Sequence, residues 1–282
     1  MPIFKYGNRQ IEYTLLRRKR KTVGIKIMDS AEIQVTCPTR LSNDVISRVV
    51  ESKASWIISK LEQIESVKKE LISKTYEDGE KITYLGNNYI LRIAEWSKYD
   101  GQPKHIGLRN LSLKFDNSSE DTIEKLRVIL NQLKIFMIEG QRIGIRFFSN
   151  EFHIYINGWK DRDYKKRLIK QALLNWYKEA ALINLFERTY EFSRRYNLKP
   201  AKVSVKSQKT IWGSCSSTNN ISYSWKLVLA PISIMDYVVV HELSHLVYRD
   251  HSANFWGLVE QIIPDCKEKR AWLKANGRSL DI

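Results

Sequence analysis

Apolar and polar positions alternate through the early part of the chain: Ile11, Tyr13 and Leu15, then Val23, Ile25 and Ile27, then Ile33 and Val35. A period of two marks strands with one buried face, and the short gaps between these runs predict a small antiparallel meander. After Pro38 the period changes. Ser42-Asn43-Asp44 is a helix start, and Ile46, Val50, Ile57, Leu61 and Ile64 recur at helical spacing, predicting one helix whose apolar stripe packs on the meander. Ile82 and Tyr84 before Gly86-Asn87-Asn88, with Tyr89, Leu91 and Ile93 after it, predict a hairpin.

From Ser97 to about Gly140 the alternation weakens. Gly101, Pro103 and the Asp116-Asn117-Ser118-Ser119 run predict loops, while Ile123, Leu126, Leu130, Leu133 and Met137 follow the spacing of an amphipathic helix. Strand-like segments come next, around 143–148 and 152–156. A long helix is predicted from near Lys166, with Ile169, Leu173, Trp176, Ala180 and Ile183 on one face, ending before Pro200. Val203-Ser204-Val205 and Ile221–Trp225 read as strands, the second entered through Thr218-Asn219-Asn220. Beyond Pro231, Ser233 and Asp236 have the spacing of a capping box at the start of another helix. The fold class is α+β, in three parts: a β-meander plus helix over 1–97, an inserted connector with a helix and strands over 98–160, and a catalytic domain of helix, short sheet and helix over 161–282.

At 282 residues and 43% hydrophobic, the chain can bury a substantial core. Met1-Pro2-Ile3-Phe4-Lys5-Tyr6-Gly7 lacks the apolar run of a signal peptide, and no later stretch has the length of a membrane span, so a cytoplasmic, membrane-free protein is expected. Cys37, Cys215 and Cys266 are far apart and form no C-x-x-C pair, which predicts free thiols. The balance of 47 Lys and Arg against 31 Asp and Glu gives +16. Fourteen basic and five acidic residues between 158 and 209 account for much of that excess. Such a face suits a nucleic acid or another anionic partner, and equally a solvated surface. The run Arg17-Arg18-Lys19-Arg20-Lys21 lies between two predicted strands and reads as their connection before it reads as a binding patch.

Three of the five histidines fall in one short stretch, His241-Glu242-Leu243-Ser244-His245 and then His251. On a helix, positions four apart are about 40° from one another, so His241 and His245 can reach one ion while Glu242 flanks it and can accept a proton from water. A catalytic zinc usually takes three protein ligands. His251 is the leading third, reached only if the helix ends and the chain turns through Tyr248-Arg249-Asp250, where Tyr248 occupies the place of an expected glycine. Asp250, Glu260 and Asp265 are its rivals. Tyr248, Arg249 and Tyr223 are candidates for stabilising an oxyanion.

Gln208–Ser216, Leu229-Ala230-Pro231, Asp236–His245, His251-Ser252 and Phe255-Trp256 together resemble the YgjP-like metallopeptidase domain, a relative of the SprT-like zinc proteases and more distantly of other zincins. The resemblance is specific from about Leu168 to Leu273 and weaker from Arg18 to Ile93, where Trp56 and Tyr84-Leu85-Gly86 carry it. It implies a zincin-like domain with a small antiparallel sheet, zinc held by His241, His245 and His251, Glu242 as general base, and hydrolysis of a protein or peptide substrate. It also makes Trp212 to Ser217 a candidate cleft wall, although the same residues suit a plain packing motif. Ile211 departs from the family pattern, which commonly has Arg before the Trp. Two other functions accompany the resemblance: hydrolysis of nucleoside triphosphates such as UTP, and a non-catalytic, DNA-associated metal-binding module.

Overall fold

The computed structural model describes residues 2–7, 9–28, 30–96, 112–115, 119–208 and 211–282. The loops predicted at Gly101 and Pro103, most of the 116–119 run, and His105 lie outside them. Two compact units divide the chain, Met1–Lys74 and Thr75–Ile282. The division falls at 74/75 and not at 97 and 160: the strands between 134 and 155 of the 98–160 segment join the sheet of the 81–94 hairpin, and the strand at Ser112–Lys114 pairs with Lys202–Lys206 of the following segment.

In the first unit β1 (Ile3–Tyr6) pairs with β2 (Arg9–Glu12). A second sheet holds β3 (Thr14–Arg18), β4 (Gly24–Ile27) and β5 (Ile33–Pro38) in the order β3-β5-β4. It is not the predicted meander: β3 runs parallel to β5, with Leu15 opposite Val35, and only β4 is antiparallel to it. Period-two alternation reports which face is buried and is blind to strand direction. The predicted single helix is two, α1 (Asn43–Glu51) and α2 (Ala54–Ser73), broken at Ser52-Lys53. Ile46, Val50, Ile57 and Ile64 all enter the core with Val35 and Cys37. Arg17 belongs to this architecture: its guanidinium donates to Thr39 O at 3.0 Å, Leu41 O at 2.6 Å and Asn43 Oδ1 at 2.7 Å.

The second unit opens with β6 (Lys81–Tyr84) and β7 (Asn87–Ala94), joined by Leu85-Gly86, both at positive φ as a two-residue hairpin turn requires. It continues through β8 (Ser112–Lys114), α3 (Ser119–Leu130), β9 (Lys134–Ile138), β10 (Gln141–Phe148) and β11 (Glu151–Tyr155). Leu133 and Met137, predicted on the helix, lie beyond its end. The sheet order is β6-β7-β11-β10-β9.

One side of that sheet packs on α4 (Arg162–Arg195), whose N-cap Asp161 accepts from Tyr164 N at 2.7 Å. Leu168, Ile169, Leu173, Trp176, Ala180 and Ile183 are buried along it. Here too Lys134 on β9 and Glu179 on α4 form a buried ion pair, 3.3 Å apart. Burial pulls the Lys134 pKa down, against the opposing pull of Glu179.

The chain then forms β12 (Lys202–Lys206), β13 (Gly213–Cys215) and β14 (Asn220–Ser224), followed by a 3-10 turn at Trp225–Leu229. With β8 they make a sheet ordered β13-β14-β12-β8. This sheet is mixed and not antiparallel throughout, since β12 and β14 run parallel. Three helices complete the unit: α5 (Ile232–Ser244), α6 (Ala253–Ile262) and α7 (Cys266–Asn276). No helix among the described residues is long and apolar enough to cross a membrane, and the three cysteines are free.

Candidate metal centre

α5 is placed by both of its ends and by its back. Pro231 is its N-cap, with Ile234 N donating to Pro231 O at 2.9 Å, so the predicted capping box does not form. Asp236 serves another purpose, receiving the Arg188 guanidinium of α4 at 2.6 and 2.8 Å. The hairpin turn seats on the same proline: a Cβ on Gly86 would lie 2.8 Å from Pro231 Cα, and Leu85 N donates to Val228 O at 2.7 Å. Val238, Val239 and Val240 bury the helix in the core. This leaves His241 and His245, one turn apart, facing the cleft.

The helix ends at Ser244, with turn hydrogen bonds from Leu246 N to Leu243 O and from Tyr248 N to Ser244 O. No residue from 245 to 251 takes a positive φ, so the reversal needs no glycine and Tyr248 is accommodated. Asp250 Oδ1 then accepts from Ser252 N at 3.2 Å, and Ser252 caps α6. His251, just before that cap, returns to the first two histidines. Its Nε2 lies 3.2 Å from His241 Nε2, and one nitrogen from each ring falls within 4.8 Å of the others. Phe255 underlies all three rings, with centroids 4.9, 4.5 and 4.9 Å from those of His241, His245 and His251.

This donor set fits a metal ion. The Nδ1 of His245 donates to Tyr248 O at 3.0 Å, which leaves its Nε2 lone pair free. Burial, with repulsion from the other two histidines and Arg270, holds His241 down to about 3, so its ring is neutral at physiological pH. Neutral imidazoles whose lone pairs converge repel one another until a cation lies between them. The rival ligands are engaged elsewhere: Asp250 in the turn, Glu260 with Lys267 at 2.9 Å, Asp265 with Lys269.

Glu242 lies beneath β13 and is only 4% exposed. A Cβ on Gly213 would stand 2.6 Å from its Cγ and Oε1, so the missing side chain is the space the carboxylate occupies. Burial pushes this carboxyl up to about 8. Among the oxyanion candidates, Tyr223 is fully buried with its hydroxyl 3.1 Å from Thr189 Oγ1, and Tyr248 contributes its carbonyl to His245. Arg249 borders the cleft but is tied to the β13–β14 turn, at Ser216 O (2.7 Å) and Asn219 Oδ1 (2.5 Å).

The surrounding cleft encloses about 630 Å³, bounded by Ile211 to Cys215, the face of α5, and α7. Trp212 joins two of these walls, since a Cβ on Gly277 at the end of α7 would meet its ring at 2.6 Å. It is both a packing residue and a lining residue. β13 pairs with β14 on one side, and among the described residues no strand pairs with its other side. Sequence reasoning missed the α7 wall, whose one signal was a basic pair spaced by four residues.

A family model described as YgjP-like, metallopeptidase domain, matches residues 21–167 and 130–276. No curated protein and no solved structure matches the chain.

Proposed function

The chain belongs to the YgjP-like metallopeptidase domain family, and on that premise we propose that it is a zinc-dependent endopeptidase, with His241, His245 and His251 as metal ligands and Glu242 as general base. The observation that carries this reading is the convergence of three imidazole nitrogens within 4.8 Å, beside a carboxylate seated under Gly213. When bound, zinc would supply Lewis acidity that polarises the scissile carbonyl and makes water easier to deprotonate.

The remaining chemistry belongs to the chain. Glu242 takes one proton from the attacking water as the new C–O bond forms, and then delivers it to the amine nitrogen as the peptide C–N bond breaks, so the carboxylic acid keeps the water's oxygen and the amine its proton. The edge of β13, unpaired among the described residues, offers backbone N–H and C=O groups to an extended peptide, which would add as a further strand and cross the histidines.

The test is turnover of a panel of peptides and nucleoside triphosphates by wild type and Glu242→Gln, with metal analysis of each protein. A peptide cleavage rate that falls by about 10²–10⁴-fold in Glu242→Gln, at unchanged metal content, is expected. Glu242-dependent turnover of UTP with no peptide cleavage would refute the reading.

A further inference from the structure

α7 carries four cations, and two of them have carboxylate partners: Lys267 lies 2.9 Å from Glu260, and Lys269 pairs with Asp265. The other two, Arg270 and Lys274, are four residues apart and so share a helix face. Both line the cleft, and among the described residues neither forms an ion pair. Arg270 is held in place. Its guanidinium stacks on Trp256, 4.8 Å from the ring centroid, and that ring stands 5.7 Å from His241 and 5.9 Å from His251.

A solvated basic face would be the ordinary reading of a lysine and an arginine on a surface helix. Three observations argue for more. The pair faces a concavity and not open solvent, and low-dielectric walls strengthen the attraction of these two cations for an anion bound there. Arg270 is stacked against the ring that borders the histidines, which reduces the ordering cost of binding an anion. Glu242 is the one carboxylate among the described lining residues, and it is already packed under Gly213.

We propose that Arg270 and Lys274 are specificity-determining residues that recognise a peptide carboxylate close to the scissile bond. The proposal rests on the peptidase reading of the same site. An extended strand on β13 turns alternate side chains to opposite faces, so an acidic residue can reach α7 while its neighbours meet the apolar Ile211 and Trp212. Arg and Lys also hold phosphate, but a polyphosphate is commonly cradled in addition by the backbone N–H groups of a glycine-rich loop or a helix N-terminus. Among the described residues Gly213 is the one glycine lining the cleft, and its open side is filled by Glu242.

Fluorescent peptides that differ only by Glu or Gln at each position near the cleavage point, each with a free or an amidated C-terminus, give the test. Binding is read by anisotropy on Glu242→Gln, which needs no cleavage, and turnover on wild type. The acidic peptide is expected to bind on the order of tenfold more tightly than its Gln twin, the effect of about one charge-assisted hydrogen bond. The advantage shrinks at about 0.5 M salt. It is lost when Arg270→Gln and Lys274→Gln are added, and Arg270→Glu with Lys274→Glu shifts preference to a Lys peptide, a gain that misfolding cannot produce. The amidated pair isolates the side chain, because a Glu preference that persists there cannot come from a C-terminal carboxylate. Equal binding of Glu and Gln peptides, a Glu preference that survives both neutralisations, or tighter binding of UTP than of any acidic peptide overturns the proposal. Cleavage without charge preference would leave the peptidase reading standing, whereas charge-selective binding without cleavage would leave the α7 wall standing.

Discussion

At the scale of single residues, Gly213 and Glu242 form one device. Gly213 sits in a strand at an ordinary negative φ, so alanine suits its backbone, yet the added Cβ would displace a carboxylate that has no solvent to move into. On the proposed peptidase mechanism, Gly213→Ala is therefore expected to lower kcat by about 10²-fold, the scale of a misplaced general base, with metal content unchanged on elemental analysis. An undiminished kcat would mean that Glu242 is not positioned by this contact. Its proton also couples to stability. Because burial raises the folded-state pKa to about 8, the metal-free protein holds a proton that the unfolded chain releases above the ordinary carboxylate range. That stabilisation is complete below about pH 4.5 and is lost as the pH rises through 8. His241, lowered to about 3, acts in the opposite sense, its stabilisation being lost as the pH falls from about 6.5 to 3. In chelator-treated protein, Glu242→Gln should thus gain stability over wild type between pH 5 and 9, on the order of 4 kcal/mol by denaturant melts. A difference that stays flat with pH would refute the buried-carboxyl account. The motif residues were legible because one turn of helix brings His241 and His245 together from local spacing alone. The Gly213 contact was not, since it joins positions that only the fold makes neighbours.

Among the elements, what the sequence makes visible is burial, and what it hides is partnership. The apolar stripe from Ile169 to Ile183 predicts α4 well because helical period and burial coincide over many turns. The same logic overruns at Ser52-Lys53, where Ile57 and Leu61 keep the period across a break between two helices. Parallel pairing of β3 with β5 and of β12 with β14 was equally unreadable, since alternation is identical for either direction. Asp236 shows the difference at a side chain: its spacing from Ser233 fits a cap, but the Arg188 guanidinium on α4 offers a bidentate partner and prevails. This pair, partly buried, ties the histidine helix to the longest helix of the unit. A double-mutant cycle with Arg188→Met and Asp236→Asn should give a coupling of about 1–3 kcal/mol. A coupling near zero would show that the apolar back of α5 alone sets its position.

For the whole molecule, the division at Lys74–Thr75 decides where metal binding can be felt. Each unit has its own buried core, Val35, Ile46 and Ile57 in the first, and Trp176, Val239 and Phe255 among many in the second. All three histidines and Glu242 belong to the second. An ion that binds only the folded site stabilises it by RT ln(1 + [L]/Kd), about 4 kcal/mol at a thousandfold excess over Kd, and the gain is confined to openings that break the site. Hydrogen exchange with and without chelator measures this directly. Amides of α5 and α6 should lose protection by up to about 10³-fold when the metal is removed, because opening either helix separates His241 and His245 from His251. Amides of β3, β4 and β5 should exchange at unchanged rates. Equal loss in both units would mean that the ion supports the whole chain as one cooperative body, and no loss in either would remove the histidine cluster from metal binding altogether.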